Sequence, residues 1–184
     1  MSFPAPDLLP KIVLDTCVLA PMPLCDTLLR LAESPALYAP RWSSDILRDL
    51  KSTLIKMGYS EAQVTRRLTA MDAAFEDAAI SGYGHLVESM TNHPKDRHVL
   101  AAAVSDHARA IVTHNIRDFP VTALRKFGVE ALTPDEFLLR HAIRNPDLVR
   151  HRINAQAAAR QLPVTALLHR LCRDLPRFTA TLAS

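Results

Sequence analysis

The sequence predicts an α/β protein: a central parallel sheet with helices on both faces. Two observations carry this prediction. Short apolar runs rich in β-branched residues, such as Lys11-Ile12-Val13-Leu14 and Ala110-Ile111-Val112-Thr113, stand far apart in the chain. Between them lie stretches whose apolar residues recur at helical spacing, and strands separated by helices pair in parallel.

The elements follow in order. Lys11–Leu14 reads as a buried strand closed by Asp15, a lone carboxylate at the carboxyl edge of the sheet, where open α/β folds place their chemistry. Pro21 and Pro23 lead into a helix from about Asp26, read as its cap, with Leu28, Leu29 and Leu31 apolar. Leu37-Tyr38-Ala39 looks like a second short strand stopped by Pro40. Ser43 and Ser44 offer N-caps to a helix carrying Ile46, Leu47, Leu50, Leu54 and Met57, and Gly58 ends it. Ser60 with Gln63 has capping-box spacing and starts a helix with Val64, Leu68, Met71 and Phe75.

Residues 78–90 read as irregular, with room for one short strand. Pro94-Lys95-Asp96 opens the next helix, which continues through Val99, Leu100, Ala103 and Val104. Ala110–Thr113 is a clear strand. Phe119-Pro120 leads into a short helix near Thr122–Phe127, Val129–Leu132 is the last strand, and Pro134 opens a helix at its first position.

After about Arg140 the character changes. Asn145-Pro146 and Leu162-Pro163 break two further helices, and no strand-like run appears. Arg144, Arg150, Arg152, Arg160, Arg170, Arg173 and Arg177 face only Asp147 and Asp174. The expected organisation is therefore a catalytic-type domain over residues 1–140 and a basic helical extension over 141–184. Leu167, Leu168, Leu171 and Leu175 form an apolar stripe that suits packing against the main domain.

Bulk properties narrow the function. In 184 residues, 48% are apolar, enough for one domain with a small appendage. Cys17, Cys25 and Cys172 form neither a CxxC pair nor a Cys/His cluster, which argues against a disulfide scaffold. A net charge of +3 is compatible with a nucleic-acid substrate. No apolar stretch approaches the roughly 20 residues of a membrane span, and Met-Ser-Phe-Pro-Ala-Pro-Asp lacks the regions of a signal peptide. The expected compartment is the cytoplasm.

Four acids sit where chemistry could use them. Asp15 ends the first strand, Asp49 lies within the helix after Trp42-Ser43-Ser44, Asp96 starts a helix, and Asp118 lies just past a strand. Gathered acids repel one another unless a cation neutralises them. Hard oxygen donors select Mg²⁺ or Mn²⁺, and such a centre activates water and stabilises a leaving oxygen. Cysteine at position 17 disfavours aspartyl-phosphate chemistry, which wants a second aspartate two residues after the first.

Four segments then carry a resemblance: Val13-Leu14-Asp15-Thr16-Cys17-Val18-Leu19; Trp42 through Leu50; Pro94-Lys95-Asp96-Arg97-His98-Val99-Leu100-Ala101-Ala102-Ala103; and Ile111-Val112-Thr113-His114-Asn115-Ile116-Arg117-Asp118-Phe119-Pro120. Over roughly residues 10–140 the chain resembles the PIN-domain ribonucleases, of the kind that serve as VapC-like toxins in toxin–antitoxin pairs. The resemblance implies a three-layer α/β/α PIN-like fold with a central parallel sheet, and Mg²⁺- or Mn²⁺-dependent cleavage of RNA. It implies metal-site and catalytic roles for Asp15, Asp49, Asp96 and Asp118, with Thr113 and Asn115 in support. It also implies a cognate antitoxin partner and admits a homodimer, for which the residues themselves carry no sign. The helical tail is similar to an extension found in one subgroup.

One departure matters. The family usually has glutamate where this chain has Asp49, and Asp45, one helical turn earlier, is its rival for the second acidic position. The same departure keeps an alternative open: a PIN-like module that binds RNA or protein with weak or no nuclease activity.

Overall fold

A computed structural model describes residues 9–183. The signal-peptide reading rests on residues that lie outside this range. Among the described residues no helix is long and apolar enough to cross a membrane.

Five parallel strands form one sheet: β1 (Lys11–Leu14), β2 (Ala39–Ser43), β3 (Ala79–Ile80), β4 (Ala110–Val112) and β5 (Glu130–Leu132). Their order is β3-β2-β1-β4-β5. The chain winds outward from β1 to β3, then returns to the other side of β1 to lay down β4 and β5. The β1–β4 boundary is thus the topological switch point, and loops leaving the two strands diverge to open a crevice. Ile12 pairs with Ala110, Val13 with Ile111 and Leu14 with Val112, and Asp15 N–H extends the ladder to the Val112 carbonyl at 3.1 Å. Both strands are buried on both faces, which is why they read as continuous apolar runs rather than alternating ones.

The helices are α1 (Thr16–Leu19), α2 (Met22–Ala32), α3 (Ser44–Lys56), α4 (Glu61–Ala74), α5 (Arg97–Ser105), α6 (Val121–Leu124), α7 (Pro134–Arg144), α8 (Pro146–Ala159), α9 (Val164–Leu171) and α10 (Pro176–Ala183). The capping box of Ser60 and Gln63 forms as expected, and Thr133 with Glu136 makes a second one at α7. Three elements differ from expectation. Helix α2 begins at Met22, with Pro23 in its first turn, so Asp26 is not a cap; it pairs instead with Arg30 at 2.7 Å and Arg160 at 3.0 Å. Strand β2 runs through Pro40 rather than stopping there. Ala39 N–H bonds toward β1, through the Pro10 carbonyl, so the missing N–H of Pro40 falls on the opposite side. There β3 pairs only with Trp42 and Ser43, so no ladder bond is lost. The tail holds three helices after α7, the last opened by Pro176.

The tail is bound by specific contacts. Gln156 of α8 is fully buried, accepting from Thr27 Oγ1 at 2.8 Å and donating to the Pro23 carbonyl at 2.9 Å. Arg152 donates to the carbonyls of Glu33 and Ser34. Leu167, Leu171 and Leu175 are buried, as their stripe implies. Asp135 of α7 lies under α10 and accepts from the backbone N–H groups of Arg177 at 3.1 Å and Phe178 at 2.9 Å. It caps from another helix the donors that Pro176 leaves unpaired at the α10 N-terminus.

Tyr38, Phe137 and His141 form an aromatic box where α7 meets β2, with Tyr38–Phe137 and Phe137–His141 centroids 4.9 and 4.7 Å apart. Burial lowers the His141 pKa to about 4, with Arg144 adding to the effect.

Two outcomes follow from this packing. Replacing Asp135 with Ala leaves two buried donors unmet and should cost about 1–3 kcal/mol in chemical denaturation, with loss of protection of the Arg177 and Phe178 amides in hydrogen exchange. For His141, the folded pKa lies below the unfolded one of about 6.5. The unfolded chain therefore takes up a proton that the folded chain refuses, and stability falls as pH drops from 6.5 toward 4. The loss should be on the order of 1–2 kcal/mol by pH 5, and His141→Phe should flatten that part of the Tm–pH curve.

Candidate metal centre

The centre is built from the loops that leave β1 and β4. Asp15 is the residue after β1 and the N-cap of α1, and it is 5% exposed. Its Oδ1 accepts from Thr16 N–H at 2.7 Å; its Oδ2 accepts from Thr113 Oγ1 at 2.6 Å and from Cys17 Sγ at 3.3 Å. A buried carboxylate held by three donors is fixed in direction before any ligand arrives. Thr113, fully buried at the end of β4, is itself held: its Oγ1 accepts from Asn115 N–H at 2.9 Å. Thr113 thus supports Asp15 directly. Asn115 supports it at one remove and through its backbone; its exposed side chain makes no hydrogen bond.

Cys17 closes a ring around the first acid. Its sulfur contacts Thr113 Oγ1 at 3.3 Å and accepts from His114 N–H at 3.2 Å. Burial, with the Asp15 charge beside it, pushes the thiol pKa up to about 12. It is a protonated donor and no nucleophile.

Asp96 ends a 3-10 turn, Pro94–Asp96, ahead of α5, and stands at the helix N-cap position, yet its side chain makes no capping bond. The simple capping role for this acid therefore does not apply. Its carboxyl pKa is held above the ordinary range, first by burial, then by the negative fields of Asp15 and Asp118, while His93 and His98 pull the other way. Asp118 sits in the 3-10 turn Ile116–Asp118 beyond β4, with its carboxylate free of hydrogen bonds. Its backbone is tied across the crevice, where the Asp118 carbonyl accepts from His93 N–H at 3.0 Å. Ligand atoms of His93, Asp96 and Asp118 all lie within 4.8 Å of one another.

The second acidic position comes from α3. Thr16 Oγ1 donates to the Ile46 carbonyl at 3.1 Å and docks this helix beside Asp15. Asp45 is committed elsewhere, accepting from Tyr83 Oη at 2.7 Å and pairing with Arg48 at 2.6 Å. The Tyr83 hydroxyl, then Arg48, hold its pKa below the usual range. Asp49, one turn on, is half-exposed; its Oδ2 is 3.5 Å from His98 Nε2. Its Oδ1 lies 3.9 Å from Arg48 Nε. The structure thus brings Asp15 and Asp118 within electrostatic reach of Asp96, while Asp49 is met by His98 and Arg48.

His93 is the member that motif reading missed. The available signal was its i,i+3 spacing from Asp96 across Pro94, which fixes the intervening turn. The donor set suits a divalent cation. Asp96 and Asp118 face one shared space with His93, and burial together with the charges of Asp15 and Asp118 disfavours the Asp96 carboxylate; a bound cation would relieve this.

The family model described as PIN domain matches residues 11–117, more than half of the chain. A protein of Mycobacterium tuberculosis (strain ATCC 25618 / H37Rv), provisionally named ribonuclease VapC50, is 55% identical over 58 residues. That match covers 32% of this chain and 34% of the relative, so the chain spans about a third of the length of the curated protein it matches. No solved structure matches the chain. The matched family model and the five-stranded parallel sheet agree, and the chain belongs to the PIN domain family.

Proposed function

We propose that the protein is a metal-dependent endoribonuclease that hydrolyses RNA phosphodiester bonds and acts in the cytoplasm as the toxin of a toxin–antitoxin pair. The observation that carries this reading is the convergence of Asp15, Asp96 and Asp118 at the β1–β4 switch point, with Asp96 held above the ordinary carboxylate range first by burial and then by the charges of the other two. A structural turn acid gains nothing from such company. The similarity to a protein named as a VapC ribonuclease supports RNA as the substrate and the toxin role.

In this reading Asp15, Asp49, Asp96 and Asp118 hold Mg²⁺ or Mn²⁺. When bound, the ion would supply a Lewis acid and lower the pKa of water for attack on phosphorus. The chain's own residues do the positioning. Thr113, Cys17 and Thr16 N–H fix the Asp15 carboxylate, so little reorganisation is needed on binding. His98 restrains Asp49, whose side chain is shorter than the glutamate usual at that position. Cys17 serves as a donor to Asp15 in this reading, and water is the attacking group. Residues 1–140 form the nuclease part, and residues 141–184 an extension that braces α2 and α7. The antitoxin would be a small protein with a segment that covers the acidic crevice.

Asp15→Asn and Asp96→Asn should each lower RNA cleavage by at least a hundredfold, with unchanged far-ultraviolet circular dichroism. Calorimetry should show Mn²⁺ binding to the wild type and weakened binding to both variants. Wild-type cleavage by either variant would refute the site, and a wild type that binds no Mn²⁺ would favour a binding module without nuclease activity. Expression of the chain should arrest growth. Co-expression of the small protein encoded next to it should restore growth; failure of every neighbouring frame to do so counts against the toxin role.

A further inference from the structure

We infer that His93 is a direct nitrogen ligand of the metal, alongside Asp96 and Asp118, and that it biases the centre toward Mn²⁺ over Mg²⁺. This rests on the metal-dependent reading above and deepens it.

The backbone fixes where the His93 imidazole is carried. Pro94 forces the residue before it into extended conformation, and His93 has φ −53° and ψ 131°. That turn is clamped at both of its partners: His93 N–H donates to the Asp118 carbonyl at 3.0 Å, and the His93 carbonyl accepts from Asp96 N–H at 2.9 Å. The imidazole is thus carried on a segment fixed to the two acids it would join. Its Nδ1 lies 3.6 Å from Asp96 Oδ2, and all three donors fall within 4.8 Å of one another. Donors at about 2.1 Å from one ion lie roughly 3–4 Å apart. A half-exposed ring and an Asp118 carboxylate without hydrogen-bond partners can close that gap by small rotations.

His98 is the other imidazole nearby, but its Nε2 faces Asp49 at 3.5 Å, on the α3 side of Asp96. The two histidines flank Asp96 from different elements, so each can be tested without the other. A nitrogen donor matters chemically. Mg²⁺ prefers oxygen and water in strict octahedral geometry, while Mn²⁺ and later divalent ions gain from an imidazole.

The test uses pulsed electron paramagnetic resonance on protein loaded with Mn²⁺ alone, together with calorimetric titration of Mn²⁺ and Mg²⁺. Wild type and His98→Gln should both show ¹⁴N hyperfine coupling to the ion. His93→Gln should lose the coupling and lower the Mn²⁺-to-Mg²⁺ affinity ratio roughly tenfold. His93→Asp should recover binding without the coupling and shift preference toward Mg²⁺. Circular dichroism checks that the variants are folded. Mn²⁺ bound without nitrogen coupling, or with coupling that survives in His93→Gln, overturns the inference and leaves the nuclease reading standing. Failure of the wild type to bind Mn²⁺ overturns both.

Discussion

The site depends on the seam between β1 and β4. These strands are far apart in sequence and meet only because the chain reverses its winding direction after β3. Their last shared rungs are the Asp15 N–H to Val112 bond and the hydrogen bond from Thr113 Oγ1 to Asp15 Oδ2, at 2.6 Å. Sheet pairing and site assembly are therefore one event. A register slip of one residue would turn Asp15 and Thr113 to opposite faces and undo both. The apolar residues that precede them, Val13, Leu14, Ile111 and Val112, are fully buried, so core packing specifies that register.

A gathering of carboxylates costs stability, and the fold offsets this by committing each acid differently. Asp15 is met by three donors, and Asp45 is drawn off by Tyr83 and Arg48. Asp96 and Asp118 are left with the fewest partners, and Asp96 shows the strain as a raised pKa. Two groups of donors result. Asp15 and Asp49 approach from β1 and α3; His93 and Asp118 approach from the loops before α5 and after β4. Asp96 lies within the field of Asp15 on one side and of Asp118 and His93 on the other.

Much of this was legible in the sequence because the signals were local. The β1 and β4 runs, the capping box at Ser60, and the placement of Asp15, Asp96 and Asp118 at element ends each needed only a few neighbouring residues. What was not legible depended on partners distant in the chain. Pro40 looks like a strand terminator until its missing N–H is seen to face a side with no neighbour. Asp26 resembles a helix cap until Arg160 reaches it across 134 positions. Cys17 resembles a packing residue because nothing local shows that Thr113 and His114 will arrive beside it.

The rivalry between Asp45 and Asp49 illustrates the same limit. One helical turn separates them, so periodicity places both on the same face of α3. The distinction comes from Tyr83, a residue in the irregular stretch after β3 that gave no clear pattern. Tyr83 and Arg48 engage Asp45, whereas Asp49 faces His98, and this difference favours Asp49 in the proposed site. Two histidines thus enter an otherwise acidic site, His98 restraining Asp49 and His93 beside Asp118. Of the two, only His93 stands within one ligand group with Asp96 and Asp118, so the proposed nitrogen donor is that residue and not His98.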